Sequence, residues 1–505
     1  MSIRKLHRSL RACAQATFLV CSLSLGSFWP GAATPDASSA SAAARVVAEN
    51  NAGVRAHNQG QFDKAVEHLR AARALDAADP TIRLNLVRAL NARASQAAEA
   101  DDHTAAEKDL LAALEVAPSD EPTLRHLAIF LNNLAVAAMR DHQHEQACAF
   151  YDRIRDYLPQ LQDKAAIGQI RANYSNLLTA EGDAHAAAQR VDQARAQYTQ
   201  ALTQNAANAD ALAALGDLDY AADRYRAALG WYEKALAAAP ADRADFVQAV
   251  REMTAMLRKE MSIEAGFQQI EDRLGRFRLY FPRNLPNATV ANILETLHEA
   301  HKKVGRDFEF FSTQPITVKI YSREQLGAIQ ELPQWVAGLY DGKLRLIDEH
   351  LMSSPEQLRR SLFHEYTHAV IHLMGGEAVP SWLHEGLAQV EEPNLQATPH
   401  DIRFMAERVR GDEAMTLDEI TRPFQRQQQA DQMPLIYLQS RLLADYLLER
   451  QGWDGVRRLL IETKRHNDFA EAFEAVFRTK LTQLEPAWKK WLFRREARKA
   501  PTRQS

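Results

Sequence analysis

The stretch SLFHEYTHAV, residues 361–370, sets His364, Glu365 and His368 inside an apolar run. Charged and titratable groups are costly to bury there unless something binds them. Histidines at i and i+4 share one helix face, one turn apart, so two imidazole nitrogens can meet one ion. Glu365 lies beside them, placed to reach a water at that ion rather than the ion itself. Sixteen residues separate His368 from Glu385 in VPSWLHEGLAQVEE, 379–392. A turn through Gly375 and Gly376 can fold a second helix back and bring Glu385 to the same ion as third ligand. Two histidines and one glutamate leave a fourth position for water, which catalytic rather than structural zinc sites keep. The expected cofactor is therefore one Zn2+ per chain. The five-residue pattern alone would arise by chance in roughly a few per cent of chains of this size, and the second helix is what makes the set specific.

The elements that must hold these residues can be delimited. Ser354, Pro355 and Gln357 form a helix-start signal, a capping box with proline at the first helical position, and Gly375 and Gly376 a stop, so a helix is expected from about 355 to 374. Its flanks Leu362, Phe363, Ala369, Val370 and Ile371 suit a buried position. Pro380 and Ser381 start the second helix and Pro393 ends it. Upstream, RFRLYF (276–281), ITVKIYS (316–322) and KLRLID (343–348) alternate with the two-residue period of half-buried strands, with a helical stretch near 288–304 between them. A mixed α+β domain is expected over 276–490. His372 reads as a helix-surface or supporting group, His384 as pointing to a face other than that of Glu385, and Trp382 as a packing anchor. Residues 394–434 read as loops that wall the cleft, and 491–505 as a solvated basic tail.

FHEYTHAVI together with VPSWLHEGLA resembles the gluzincin metallopeptidases, most closely the Peptidase MA-like domains. The resemblance implies a zincin-like fold, zinc on His364, His368 and Glu385, Glu365 as general base, and a peptide or protein substrate. WVAGLYDGKLRLID (335–348) is similar to the strand that lies along the substrate in this clan. Thermolysin-like members carry an Asp four residues after the third ligand to hold a zinc-bound histidine; Gln389 stands there in this chain and can accept that hydrogen bond without charge. Members often stabilise the oxyanion with a Tyr or His from a later helix, and in PLIYLQSRLLADYLLER the matching residue is Tyr437, for which a packed core aromatic is the other reading. The Gly-x-Met-Glu-Asn stretch of the aminopeptidase branch is absent, which implies an endopeptidase. An inert binding scaffold with a zinc-binding pseudopeptidase domain stays open, as does a different hydrolytic substrate such as a cell-wall peptide.

The N-terminal half is of another kind. From about 46 to 245 it is alanine-rich and self-similar, with recurring sets Ala65/Leu69/Ala72/Ala77, Ala106/Leu110/Ala113/Pro118, Ala147/Tyr151/Ile154/Pro159, Ala194/Tyr198/Ala201/Ala206 and Ala228/Tyr232/Ala235/Pro240. This resembles the tetratricopeptide repeat, whose small residues let paired helices approach closely. An all-α solenoid is expected over 45–250, then a connecting helix at 251–275. The alanine anchors lie 41, 41, 47 and 34 residues apart; the earlier units should have longer helices or loops, since the extra seven residues are close to two helical turns. Such solenoids expose a groove that holds a peptide segment of a substrate or partner protein.

The chain has 505 residues, 46% hydrophobic and 25% charged, which is ordinary globular composition. Arg4, Lys5, Arg8 and Arg11, an apolar core at 16–29 and small residues beyond it read as an export signal with a linker over 1–44. The expected location is the periplasm or the exterior. About 14 apolar residues fall short of the roughly 20 that span a bilayer, and the bulky Val20 argues against lipoprotein anchoring at Cys21. Loss of those four basic groups carries the formal charge from −4 to about −8, a mildly acidic protein without the basic stripe of nucleic-acid binders. Cys13 and Cys21 leave with the leader, and Cys148 alone cannot form an intrachain disulfide.

Overall fold

The computed structural model describes residues 39–329, 338–351, 354–421 and 432–499. The expected leader with Cys13 and Cys21, the first residues of the 335–348 stretch, part of the expected 394–434 loops and the last residues of the basic tail lie outside them. Among the described residues the N-terminal region consists of five antiparallel helix pairs: α1 (Ser39–Asn58) with α2 (Phe62–Leu75), α3 (Pro80–Glu99) with α4 (His103–Val116), α5 (Glu121–Arg140) with α6 (His144–Arg155), α7 (Lys164–Ala187) with α8 (Val191–Gln204), and α9 (Ala209–Ala221) with α10 (Tyr225–Ala238). A further helix, α11 (Ala244–Glu264), closes the series.

Local chemistry repeats with the pairs. Asp79, Asp120, Asp163 and Asn208 each cap the first helix of a pair by accepting backbone N–H bonds. Each pair turns through one left-handed residue, with φ of 72° at Gly60, 59° at Asp101, 59° at His142, 57° at Gln189 and 58° at Asp223. The anchors predicted from the repeat are buried in every second helix, from Ala65, Leu69 and Ala72 to Ala228, Tyr232 and Ala235. The aromatic anchors demand close approach: a Cβ on Gly182 or Gly216 would stand 2.5 Å from the ring of Tyr198 or Tyr232. The seven-residue excess falls in the first helices, since α3 and α5 have 20 residues and α9 has 13. For the spacing of 47, α7 lengthens to 24 residues and a short 3-10 turn, Leu158–Gln160, precedes it.

The C-terminal region is built on five strands, β1 (Phe267–Glu271), β2 (Phe277–Pro282), β3 (Ile316–Tyr321), β4 (Gly338–Tyr340) and β5 (Leu344–Ile347), in the order β1-β2-β3-β5-β4. The β2, β3 and β5 neighbours run parallel, and both edge strands run antiparallel to them. Helices α12 (Asn287–Asp307), α13 (Arg323–Ile329), α14 (Asp348–Leu351), α15 (Pro355–Gly375), α16 (Ser381–Glu391), α17 (Pro399–Arg410), α18 (Leu417–Thr421), α19 (Met433–His466, kinked at Gly452), α20 (Phe469–Phe477) and α21 (Leu484–Lys499) complete it. One sheet face, with Phe277, Leu279, Val318, Ile320, Leu344 and Leu346, shares a core with α12, α15, α16 and α19.

Three expectations are corrected. The connecting helix does not reach 275: α11 ends at Glu264 and β1 pairs with β2, so the sheet starts earlier. The tail does not begin at 491, because Trp488, Trp491 and Leu492 are buried at helical spacing and carry α21 onward to Lys499. Nor are β3 and β5 half-exposed, for each of their residues is buried. Their second face carries Lys319, Lys343 and Arg345, and the solenoid covers it. Lys319 Nζ lies 2.8 Å from Glu264, Lys343 Nζ 2.9 Å from Asp223, and Arg345 Nη1 2.8 Å from Glu260. The sheet is thus held between the α15 side and the last solenoid helices. No helix among the described residues is long and apolar enough to cross a membrane.

Candidate metal centre

Helix α15 begins where expected, with Ser354 Oγ accepting the Gln357 N–H at 3.1 Å, but the capping box is only half formed, since the Gln357 amide donates to Ser361 Oγ at 3.5 Å; the helix stops at Gly376, whose φ is 73°. Helix α16 then packs on both α15 and α19. Gly386 makes this approach possible, because a Cβ there would overlap the Ser440 carbonyl oxygen of α19. The neighbouring Glu385 is thereby turned onto the histidine face of α15.

The geometry follows the predicted set. Nε2 of His364 and Nε2 of His368 are 3.1 Å apart. Glu385 Oε2 is 3.4 Å from the first nitrogen and Oε1 3.7 Å from the second. One donor atom from each residue falls within 4.8 Å of the others. His364 Nδ1 donates to Glu392 Oε1 at 2.8 Å, and the other Glu392 oxygen accepts from Arg360 Nε at 3.2 Å. A carboxylate only accepts, so this bond holds a proton on Nδ1 and makes Nε2 the nitrogen that faces the cluster and would ligate an ion.

Electrostatics agree with a cation-binding role. Burial opposes the charged form of His364, yet hydrogen bonds to Glu385 and Glu392 raise its pKa well above the ordinary value. Burial dominates at His368 and lowers it to about 3, so that ring is neutral. Glu385 is held below the usual carboxylate range despite burial, by His368 and His364. Glu365 is pushed up to about 7, first by burial and then by Glu385 and Glu392 against the opposing His364. Glu365 Oε2 is buried and accepts no hydrogen bond. A buried carboxylate oxygen without a donor, beside two imidazole Nε2 atoms and the Glu385 carboxylate, fits a divalent ion of the zinc type.

The remaining expected residues divide. Gln389 does not hold a ligand histidine; its Nε2 donates to the carbonyl oxygens of Tyr437 and Glu385, at 2.9 and 3.1 Å, and so ties α16 to α19. The partner of the histidine is Glu392, seven residues after Glu385, where two helical turns restore the same face. That i+7 carboxylate was a readable signal. Tyr437 is half-buried in the second turn of α19, and its hydroxyl is raised above the ordinary value first by burial and then by the charges of Glu385, Glu365 and Glu392. His384 was expected on another face but lies alongside His368, ring centroids 5.7 Å apart. His372 meets Tyr340 of the edge strand at 5.2 Å, and Trp382 is buried edge-on to Phe469.

Residues 296–494 match the family model of the Peptidase MA superfamily. The Peptidase MA match starts inside α12 and includes every residue of the centre, while β1 and β2 precede it. Among solved structures the chain is similar to a thermophilic TPR protein from Thermus thermophilus, with 20% identity over 42% of this chain and 98% of that one, at a TM-score of 0.16. The helix pairs, their left-handed turns and their buried anchors make the N-terminal region a helical repeat. No curated protein matches the chain.

Proposed function

We propose that the protein is an exported zinc-dependent metallopeptidase, an endopeptidase, whose solenoid binds substrate or a partner protein. The observation that carries this reading is the convergence of the two histidine Nε2 atoms and the Glu385 carboxylate on one point, with the unpartnered Glu365 oxygen beside it. Zinc, when bound, supplies a Lewis acid that lowers the pKa of water and polarises a peptide carbonyl. Glu365 takes the proton from the attacking water and passes it to the leaving amine. The Tyr437 hydroxyl donates to the developing oxyanion. Glu392, braced by Arg360, keeps His364 in the ligating tautomer. The endopeptidase reading rests on the absence of an amino-terminus recognition stretch, and export on the leader pattern, which N-terminal sequencing of secreted material beginning near residue 45 would check.

The test is metal content by inductively coupled plasma mass spectrometry beside cleavage of unfolded protein. About one zinc per chain is expected, lost in Glu385→Ala. Glu365→Gln should keep the metal and lose cleavage by about 10²- to 10⁴-fold. Partner binding without chelator-sensitive cleavage in the zinc-loaded wild type would replace this reading with that of an inert scaffold.

A further inference from the structure

His364, His368, His372 and Gly375 stand at i, i+4, i+8 and i+11 of α15, on one helix face. Where that face ends, a cavity of about 120 Å³ opens between the two regions of the molecule. His372, Gly375 and Lys464 line it from the metal side, and Asp183, Tyr198 and Asp217 from the solenoid. Gly375 lies about 10 Å along the helix from His368, at about 1.5 Å per residue. His372 also meets Tyr340 of β4, so one ring joins the edge strand to the cavity. The cleft is therefore not walled by loops alone, as expected of 394–434: α17 lies in that stretch as a regular helix with a complete capping box between Thr398 and Asp401, and at the far end of α15 the solenoid takes part.

This lining is electronegative for two separate reasons. Its charged side chains are the carboxylates of Asp183, Asp217 and Glu377 against the single ammonium of Lys464. Three helices also end there: Ala186 and Ala187 close α7, Gly375 closes α15, and Asn467 caps the C-terminus of α19. The carbonyl end of a helix carries roughly half a negative charge. Lys464 Nζ answers the end of α15, donating to the Leu373 carbonyl at 2.8 Å and to Gln189 Oε1 of the solenoid at 2.6 Å. The hydroxyls of Tyr198 and Tyr232 donate to Asp183 Oδ1 and Asp217 Oδ1 at 2.8 and 2.7 Å, which fixes both carboxylates in place without adding charge. Buried Ala186, Ala214 and Tyr198 supply apolar wall, and exposed Ala187, Gln189, Glu377 and Asn467 form the mouth. The volume is well under the roughly 300 Å³ at which sites for drug-sized molecules begin, so it takes one side chain. Alanine walls with carboxylates among them suit a side chain that carries positive charge at the end of an apolar stem.

We propose that this cavity receives a lysine or arginine side chain of the polypeptide substrate, with Asp183 and Asp217 of the solenoid as specificity-determining residues. An extended chain advances about 3.3 Å per residue, so the basic residue stands about three positions from the bond at the metal centre. The solenoid is then one wall of the substrate cleft, and cleavage is directed to extended segments with a basic residue at that distance. The position relative to the cut rests on the peptidase reading above, the charge preference does not, and the test separates the two.

The zinc-loaded full chain is given a mixed peptide library, and cleavage sites are read by mass spectrometry for the wild type, Glu377→Gln and the double variant Asp183→Asn/Asp217→Asn, with zinc content measured for each. The double variant keeps the oxygens that accept the tyrosine hydroxyls and removes only charge, and Glu377→Gln alters an exposed side chain. The wild type should favour lysine or arginine over methionine about three residues from the cut by roughly 10- to 100-fold in kcat/KM, as one hydrogen-bonded charge allows. The double variant should remove most of that ratio and Glu377→Gln a smaller part. An unchanged ratio in the zinc-replete variants overturns the proposal. A second arm needs no turnover: the anisotropy of fluorescein-labelled Ala-Ala-Lys-Ala-Ala, and of the same peptide with norleucine for lysine, is followed on the Glu365→Gln protein with and without the double substitution. A preference for lysine that disappears with Asp183→Asn/Asp217→Asn, when the zinc-loaded wild type cleaves nothing, leaves the site standing and removes the peptidase reading. Cleavage in which basic residues have no effect, with no preference for lysine in binding, removes the site and leaves the peptidase reading intact.

Discussion

Two clusters of buried charge lie on opposite sides of the sheet, and they are finished differently. Toward the solenoid, Lys319, Lys343, Arg345 and Glu260 are each at most 1% exposed. Every cationic head there meets a carboxylate within hydrogen-bonding range, with Glu264, Asp223, Glu260 and Asp341 as partners. Tyrosine hydroxyls of Tyr220, Tyr225 and Tyr321 fill the remaining positions. On the other side, Glu365, Glu385 and Glu392 gather with two imidazoles, and the permanent cation paired with them among the described residues is Arg360. Glu365 Oε2 there has no donor and, among the described residues, no permanent cation beside it, whereas Asp223 Oδ1 of the first cluster lies 2.9 Å from Lys343 Nζ. The first cluster closes on itself and can only hold the two regions together, whereas the second sets three carboxylates against one permanent cation, a shortage that a divalent ion would relieve. Burial alone therefore does not mark a functional site; the uncompensated remainder does.

The largest effect is expected where compensation is complete. Glu260→Ala leaves Arg345 and Lys319 short of a buried partner, and removing one member of such a set typically costs about 3–5 kcal/mol. Urea unfolding should show that loss, together with freed contact between solenoid and sheet read as new proteolysis near 265–275. A loss under about 1 kcal/mol would mean that water enters this interface and that the two clusters are alike after all.

At the metal centre the sign reverses. In chelator-treated protein Glu365 has its pKa raised to about 7 from the ordinary 4.5. The folded state then holds a proton that the unfolded state has released, so stability from this group is intact below about pH 4.5 and is lost as pH rises through about 7. Glu365→Gln should consequently stabilise the metal-free protein at pH 8 by on the order of 3 kcal/mol, with little gain at pH 4.5. Equal melting temperatures of the two proteins at pH 8 would show that the carboxylate is not buried uncompensated. A smaller effect, still specific to this side, belongs to Glu392: replacing it with alanine frees His364 Nδ1 and should weaken zinc affinity by about 10- to 100-fold, measured by competition with a chelator, whereas Gln389→Ala should leave that affinity nearly unchanged.

How far each side could be read from sequence follows from the range of its contacts. His364, Glu365 and His368 sit within one helical turn, and the caps of α15 lie next to them in the chain, so local spacing was enough. The repeat anchors were legible for the same reason, down to the seven extra residues carried by α3 and α5. Glu392 was missed because the family pattern directed attention four residues past the ligand, when the helix face returns at seven. The second face of the sheet was missed because lysine and arginine at alternate strand positions ordinarily mean solvent. Their compensating groups are distant in sequence, 55 residues away for Lys319 and Glu264 and 85 for Arg345 and Glu260. β1 escaped notice because FQQIE has no apolar alternation; its residues are largely exposed, and pairing with β2 makes it a strand.

The smallest expected effect serves as the control that gives the comparison its meaning. Arg258 and Glu233 form an ion pair at 2.8 Å between α11 and α10, with side chains 60% and 51% exposed. Arg258 is on the same helix as Glu260, two residues away, and the length of the contact matches the buried one. In water the Coulomb gain is small, both long side chains lose freedom to hold the geometry, and salt screens what remains. Arg258→Ala should therefore change unfolding free energy by less than about 0.5 kcal/mol and lose even that in high salt. If Arg258→Ala and Glu260→Ala cost the same, pairing rather than burial would be the source of the interface energy, and the shortage of positive charge around Glu365 and Glu385 would no longer argue for an ion.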